Sequence, residues 1–349
     1  MQLLDCQDVC RIIESTGGLE SFNNLVLEQL EFDFARWPEF KKSPRHASHF
    51  SKGVIELMPC SDQQYYSFKY VNGHPGNPEL GKSSVVALGV LSDMVTGYPL
   101  MISEMTILTA IRTAATAALG LKYLARRNST KLALIGTGAQ AEFLVYALST
   151  VMTIEELRCF DIDPAALCKF LHNMADRKSI LVPTQNIADA IKTADVVVTA
   201  TADKRQTHLF SEGQITDGVH IHAMGGDCPG KTELDPALLE RSKIVVEYLD
   251  QTQFEGEIQN LSKVTIHAEL WEIICGQKCG RVDPDEITLF DSVGVAVEDF
   301  SILKLIYDLA AQMNIAKEVD VIPNMDNPKD LFSQLSSAHT RPQLYRQSV

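Results

Sequence analysis

The segment that most constrains the fold is residues 131–164, KLALIGTGAQAEFLVYALSTVMTIEELRCFDIDP. It starts with a short apolar run, breaks at GTGAQA (136–141) and continues with the apolar periodicity of a helix. A second apolar run follows and ends at Asp161. This order predicts a β-α-β unit with the motif G-x-G-x-x-A and an acidic residue 25 positions after the first glycine (161 − 136). Such a unit is typical of dinucleotide-binding domains; the alternative is a doubly wound domain that binds no ligand.

Each position of the glycine turn has a physical role. Gly136 permits the tight turn, Gly138 lets the backbone approach a pyrophosphate, and the small Ala141 lets the helix pack close to the strand. The helix N-terminus offers unpaired N–H groups and a positive dipole end to phosphates. Ala139 and Gln140 complete the turn and are further predicted cofactor contacts.

The acidic residue indicates which dinucleotide is bound. The Asp161 carboxylate would hydrogen-bond the adenosine ribose and would repel a 2′-phosphate. No arginine follows it that could accept such a phosphate. We therefore expect NAD rather than NADP as the cofactor, with Asp163 as a second possible ribose partner.

Bulk properties narrow the class of protein. A chain of 349 residues is long enough for two domains. Its net charge of −14 argues against a nucleic-acid or anionic-membrane partner. No apolar run has the length of a membrane span, and the N-terminus does not resemble a secretory signal. The eight cysteines form no C-x-x-C motif, so we expect reduced thiols, no metal site and a cytoplasmic location.

The order of apolar segments predicts two kinds of sheet. Residues 1–37 have helical periodicity, and residues 45–102 contain successive strand-like segments separated by turn signals, which is typical of an antiparallel sheet. A long alanine-rich helix follows Met105, and strands and helices then alternate to about residue 313. We predict an α/β protein with a Rossmann-type NAD-binding domain at 116–314. A discontinuous α+β domain would comprise residues 1–115, joined by 315–349.

Reactive side chains follow several of the predicted parallel strands, where open α/β sheets bind ligands. After the strand at 219–223 comes Met224-Gly225-Gly226-Asp227, which would place Asp227, buried, beside the nicotinamide. The alternative is that Asp227 caps the next segment. Thr201 and Ser292 also lie at strand ends.

The first domain supplies charged residues in unusual settings. Strand alternation places Lys69 opposite Tyr66, Phe68 and Tyr70, and such a lysine usually faces solvent. Glu56 interrupts an apolar strand, so it lies on an open face or in a polar pocket. Arg112 lies in a nearly uncharged helix. Because a buried guanidinium needs an anion, either an internal acid or a ligand must lie beside it.

These residues lie in a sequence that resembles the ornithine cyclodeaminase and mu-crystallin family over nearly the whole chain. The resemblance is carried by VIELMP (54–59), FKYVNGHP (68–75), RTAAT (112–116), GGDCPGKTEL (225–234), EGEIQ (255–259) and FDSVG (290–294). It implies that Arg45, Lys69 and Arg112 hold a substrate carboxylate, that Glu56 faces the amino groups, and that the backbone at Val293 touches the substrate. It also implies that Asp227 is the catalytic acid/base. The implied dinucleotide contacts are Ser84, Arg112, Gly138, Ala139, Asp161, Thr201, Met224, Gly225, Gly226, Asp227, Lys231 and Ser292.

The resemblance implies that the substrate is a small amino acid. The expected reaction converts L-ornithine to L-proline and ammonia with NAD as a recycled hydride store, in a homodimer. Three alternatives stay open at this point. They are an NAD(P)-dependent amino-acid dehydrogenase or ketimine reductase, a lysine cyclodeaminase and a ligand-binding protein without activity.

Overall fold

The computed structural model describes residues 1–202, 206–261 and 265–335, with only the backbone of Asn260. Two eight-stranded sheets form the framework of this part of the chain. The first sheet contains β1 (Gln2–Leu4), β2 (Lys41–Lys42), β3 (His46–Phe50), β4 (Gly53–Ser61), β5 (Tyr65–Gly73), β6 (Val85–Asp93), β7 (Pro99–Glu104) and β16 (Lys317–Glu318). The second contains β8 (Lys131–Ile135), β9 (Glu156–Phe160), β10 (Ile180–Pro183), β11 (Val196–Thr199), β12 (His220–Ala223), β13 (Lys243–Val246), β14 (Ile266–Glu269) and β15 (Thr288–Asp291).

Ten α-helices connect or cover the sheets in the described residues. They are α1 (Cys6–Ser15), α2 (Leu19–Ala35), α3 (Thr106–Leu124), α4 (Ala141–Leu148), α5 (Pro164–Asn173), α6 (Ile187–Ile191), α7 (Pro236–Arg241), α8 (Leu249–Glu255), α9 (Leu270–Ile274) and α10 (Ala296–Met313). Short 3₁₀ turns lie at Trp37–Glu39, Asn77–Leu80, Glu212–Gln214, Glu257–Asn260 and Leu331–Leu335. Within these residues no helix is both long and apolar enough to cross a membrane.

The first sheet is largely antiparallel, as predicted for residues 45–102. Its order is β16-β1-β7-β6-β5-β4-β2, with β3 paired to β4. Buried and more exposed residues alternate along β4 and β5, because one face packs on the core while the other faces outward. Helix α10 covers the inner face of β4, β5 and β6.

The second sheet is parallel throughout, with the order β10-β9-β8-β11-β12-β15-β13-β14. Every residue of β11, β12 and β15 is buried, which is the pattern of central strands covered by helices on both faces. Helix α3 links the sheets, since it packs on β6 and also on β12, β15 and α4. The predicted fold class, a Rossmann-type domain with a second α+β unit, is confirmed.

Two details differ from the sequence prediction. Residues 2–4 form a strand rather than part of a helix, because β1 pairs in parallel with β7 and antiparallel with β16. The strand β14 was not predicted. The pairing of β16 with β1 brings residues 317–318 to the first sheet. The predicted domain boundaries stay a prediction, and the end of the predicted tail, 336–349, lies outside the described residues.

Candidate active site

The glycine turn after β8 has the geometry that the motif predicts. Gly136 has φ +99°, and a Cβ there would lie 2.5 Å from the carbonyl oxygen of Ala200, so only glycine fits. Gly138 is exposed, and no heavy atom would lie within 4 Å of a Cβ added to it. Ala141 begins α4 and is buried. The turn is thus closed toward the sheet and open where a pyrophosphate would approach.

Asp161 follows β9 and lies directly beside this turn. Its Oδ2 accepts hydrogen bonds from the backbone N–H (2.6 Å) and the hydroxyl (2.9 Å) of Thr137. Asp163 instead caps α5, with Oδ1 2.9 Å from the backbone nitrogen of Ala165. Gln140 donates from its side chain to the Ala110 carbonyl of α3 (2.7 Å). These positions fit NAD, with Asp161 as the acid nearest the turn.

The turn that carries Asp227 packs on two buried carboxylates. A Cβ on Gly225 would overlap the Glu233 carboxylate, and a Cβ on Gly226 would lie 2.6 Å from Oε1 of Glu257. Glu257 in turn accepts a hydrogen bond from the backbone N–H of Glu233 (2.9 Å). Burial raises the pKa of Glu257 to about 7. A Cβ at either glycine would displace a buried carboxylate, so the backbone of this turn packs closely on Glu233 and Glu257.

Asp227 itself projects outward from the turn. Its side chain is 54% exposed and lies 3.3 Å from Nζ of Lys231, which also donates to the Thr201 carbonyl (2.9 Å). The Gly-Gly turn packs on Glu233 and Glu257, and Asp227 lies on its outer side. The burial of Asp227 beside a nicotinamide ring stays a prediction. The next helix, α7, is capped by Asp235 and not by Asp227.

Arg45 lies where the two sheets meet. Its Nη1 is 3.1 Å from Glu56 and its Nε is 3.0 Å from Glu255, while Nη2 donates to the carbonyls of Val293 (2.6 Å) and Gly294 (2.8 Å). The negative charge of Asp227 acts on Arg45 and on Glu255. Glu56 therefore faces a polar pocket, which was one of its two predicted placements.

Lys69 and Arg112 share one acid on α10. Lys69 Nζ lies 2.8 Å and Arg112 Nε lies 3.0 Å from the same oxygen, Oδ1 of Asp299, and Arg112 Nη1 lies 2.6 Å from Glu298. The prediction that Lys69 faces solvent is wrong, since its side chain is only 1% exposed. The inner face of β5 packs on α10, which supplies the acid. For Arg112, the structure shows the internal acids that its burial required.

Glu247 holds the loop that follows β15. Its carboxylate accepts hydrogen bonds from the Ser292 hydroxyl, from the N–H of Val293 (3.0 Å) and from the N–H of Gly294 (2.7 Å). Burial and the neighbouring Glu247 carboxylate raise the pKa of Glu298 well above its ordinary range. The loop therefore presents its carbonyl oxygens to Arg45 from a fixed backbone.

The structure brings most of the predicted site residues together and adds four acids. The sequence predicted no role for these acids, which are Glu247, Glu255, Glu298 and Asp299. The pair at 298–299 is a signal that could have been used, because it interrupts the apolar run of α10 (AVEDFSILKL). Ser84 lies just before β6, where its carbonyl accepts from the His74 N–H (2.8 Å). Its contact with a dinucleotide stays a prediction, as do the roles of the other predicted site residues.

Comparison with known proteins identifies the family. The model of the ornithine cyclodeaminase/mu-crystallin family matches residues 8–314. The chain belongs to this family. Within the ornithine cyclodeaminase/mu-crystallin family, the chain is 48% identical to ornithine cyclodeaminase of Agrobacterium tumefaciens over 318 residues, which cover 91% of this chain and 89% of that protein.

Solved structures agree with this family assignment. An archaeal alanine dehydrogenase dimer with bound NAD is 33% identical, with a TM-score of 0.84 over 92% of this chain and 99% of that one. A lysine cyclodeaminase studied for recognition of L-lysine, L-ornithine and L-2,4-diaminobutyric acid is 28% identical, with a TM-score of 0.85 over 94% and 98% of the two chains.

Proposed function

We propose that this protein is an NAD-dependent ammonia-lyase that converts L-ornithine to L-proline and ammonia. The similarity to an ornithine cyclodeaminase over 91% of the chain supports the reaction. The structural observation that supports this reaction is the placement of Arg45 between Glu56 and Glu255, where the negative charge of Asp227 also acts on it. One guanidinium and several acids at one site suit a substrate with one carboxylate and two ammonium groups.

NAD would lie along the carboxyl ends of β8, β11 and β12. When bound, it accepts a hydride from the substrate and returns it at the end of the cycle. The residues proposed to hold it are Ser84, Arg112, Gly136, Gly138, Ala139, Gln140, Asp161, Thr201, Met224, Gly225, Gly226, Asp227, Lys231 and Ser292. The open space at Gly138 and the acid beside it at Asp161 support this placement.

The protein's own side chains position the substrate and move its protons. We assign Arg45, Lys69 and Arg112 to the substrate carboxylate, because guanidinium and ammonium groups form strong charge-assisted hydrogen bonds with it. Glu56 would face the amino groups, and the backbone at Val293 would touch the substrate. Holding the distal amine and the α-carbon of the substrate in a fixed orientation lowers the barrier to ring closure.

Asp227 is the proposed acid/base. It is exposed beside the glycine turn, where it can take a proton from the α-ammonium and later give one to the departing amine. Its pairing with Lys231 holds the carboxylate at this position. Asp227→Asn should abolish turnover, while NAD stays bound through the other residues of its site. A variant that kept most of the activity would contradict this role.

The excess of carboxylates over cations favours a diamino acid over a monoamino substrate such as alanine. Six acids (Glu56, Asp227, Glu247, Glu255, Glu298 and Asp299) surround four cations (Arg45, Lys69, Arg112 and Lys231). Lysine stays a second candidate, because one methylene changes binding by only ~1–3 kcal/mol.

We also propose that the protein is a homodimer, that it acts in the cytoplasm and that it serves proline formation. The outer face of the first sheet supports the dimer, since Leu57, Tyr70 and Leu88 are aligned as neighbours on β4, β5 and β6. Leu57 and Leu88 are exposed, an unusual position for aligned apolar side chains. The eight cysteines are scattered along the sequence and form no C-x-x-C motif, which supports a reducing compartment.

The test is proton NMR of the purified protein with excess L-ornithine and a trace of NAD, together with an ammonia assay. Proline and ammonia should appear in equal amounts, far beyond the NAD supplied, without build-up of NADH absorbance. Turnover that stops at the amount of NAD added, with NADH accumulating, would indicate a dehydrogenase. L-Lysine in a parallel sample measures the preference for chain length.

A further inference from the structure

We propose that Glu255 is a second general base, which removes a proton from the substrate's distal ammonium before the ring closes. This inference rests on the proposed conversion of a diamino acid. It assigns to Glu255 a proton transfer that Asp227 is not free to perform.

The need for a second base follows from the charge of the substrate. An alkyl ammonium has an ordinary pKa of about 10.4, so both amino groups of a diamino acid are protonated near neutral pH. The distal nitrogen can attack carbon only after it has lost a proton. Asp227 already holds the proton of the α-ammonium at this stage and cannot take another.

Glu255 has the position that this role requires. It ends helix α8, and only 11% of its side chain is exposed. Its Oε2 lies 3.0 Å from Nε of Arg45, the residue proposed to hold the substrate carboxylate. The charges of Asp227 and Glu56 both act on Glu255. The Glu255 carboxylate therefore lies directly beside Arg45, and it is close enough to Asp227, the acid that serves the other amino group, for the two charges to interact.

The acidity of Glu255 suits proton transfer near neutral pH. Burial, opposed by Arg45 and reinforced by Glu56, raises the pKa of Glu255 to about 7. A base is most effective when its pKa is near the working pH. Glu255 can thus be ionised when the substrate arrives and can hold a proton while the ring forms.

The ring-closing step balances in protons and electrons. Glu255 takes one proton from the distal nitrogen, whose lone pair forms the new N–C bond as the imine π electrons move to the α-nitrogen. Asp227 gives its proton to the α-nitrogen and receives one from the ring nitrogen, and the C–N bond to ammonia breaks. Glu255 then passes its proton to the released ammonia. No electrons leave the substrate in this step.

The experiment compares two reactions of Glu255→Gln. The first is ornithine turnover, which needs the second base. The second is reduction of the cyclic imine 1-pyrroline-2-carboxylate by NADH, which needs the fold, the cofactor site and the carboxylate clamp but no ring closure. We expect ornithine turnover to fall at least ~100-fold and imine reduction to stay within about threefold of wild type. Glu28→Gln, on the exposed face of α2, is the matched control for both reactions.

A pH series adds a readout that a structural role would not change. The ratio of variant to wild-type ornithine turnover should rise about tenfold per pH unit between pH 7 and 9, because the free distal amine becomes more abundant. If Glu255→Gln slowed both reactions equally, and if the ratio of variant to wild-type ornithine turnover did not change with pH, Glu255 would only position Arg45. That result would overturn the proposal. Unchanged ornithine turnover would also overturn it. A wild-type protein that makes no proline would instead refute the proposed function.

Discussion

Lys69 and Asp299 form a buried ion pair that joins strand β5 to helix α10. Nζ lies 2.8 Å from Oδ1, and each side chain is only 1% exposed. Arg112 donates to the same oxygen, so two of the three cations proposed to hold the substrate carboxylate depend on one acid. The first sheet, helix α3 and helix α10 are therefore coupled through a single side chain.

Asp299→Asn should lower the free energy of unfolding by about 3–5 kcal/mol, because it leaves two buried cations without their shared anion. Urea unfolding measures this change. Asp308→Asn on the same helix is the control. Asp308 is 42% exposed and pairs with Lys304, so its loss should cost about 0–1 kcal/mol. Equal effects of the two substitutions would contradict the importance of the buried pair.

Binding of a carboxylate should weaken as the pH rises through about 8. Burial, and then the nearby Arg112 guanidinium, lower the pKa of Lys69 to about 8. Lys69 is therefore cationic below this pH and neutral above it. Valerate, which has no amine to titrate, should inhibit the NAD-loaded enzyme about tenfold less strongly for each pH unit above 8. Lys69→Met should bind valerate weakly and lose this dependence; an unchanged pH profile would argue against the role of Lys69.

The two glycines of the cofactor turn should respond differently to alanine. Gly136→Ala should destabilise the fold, because φ is +99° and the new Cβ would lie 2.5 Å from a carbonyl oxygen. Gly138→Ala should leave the free energy of unfolding within ~1 kcal/mol of wild type, since the space around it is open. It should raise the Kd for NAD at least tenfold. Thermal unfolding and NAD titration test both variants, and normal NAD affinity in Gly138→Ala would contradict the proposed pyrophosphate site.

His222 should make the protein less stable in acid. Burial lowers the pKa of His222 from 6.5 to about 3, so the native state holds it neutral while the unfolded chain binds a proton. The contribution of neutral His222 to the free energy of unfolding is fully present above pH 6.5. It declines by about 1.4 kcal/mol per pH unit as the pH falls toward 3. In urea unfolding, His222→Phe should reduce the slope of the free energy of unfolding against pH by this amount. His172→Phe, at an exposed position, is the control and should leave it unchanged.

Arginine on the outer sheet face should separate the proposed dimer. Leu57→Arg combined with Leu88→Arg places two charges in the apolar row that crosses β4, β5 and β6. Light scattering after size exclusion should show a monomer for this variant and a dimer for wild type. Ile162→Arg, at an exposed position beside the nucleotide turn, should stay dimeric. A dimeric double variant would place the interface elsewhere.

Local patterns made several features predictable. Gly136, Gly138 and Asp161 belong to one short β-α-β segment, so their spacing indicates both the turn and the cofactor. The apolar strand before Asp227 likewise predicted that this residue follows a parallel strand. The side-chain alternation in β5 was also predicted, although the face that is buried was not.

The sequence by itself determined the Rossmann-type unit, the antiparallel first sheet and the identity of the charged residues, because helix and strand periodicity and glycine turns depend on nearby residues. Only the tertiary structure decided which acids meet which cations. Lys69 and Asp299 are separated by 230 positions, and Arg45, which lies just before β3, meets Glu255 at the end of α8. Packing of α10 on the first sheet, and not any local pattern, placed Lys69 inside. The packing of the Asp227 turn on the buried carboxylates of Glu233 and Glu257 was decided in the same way.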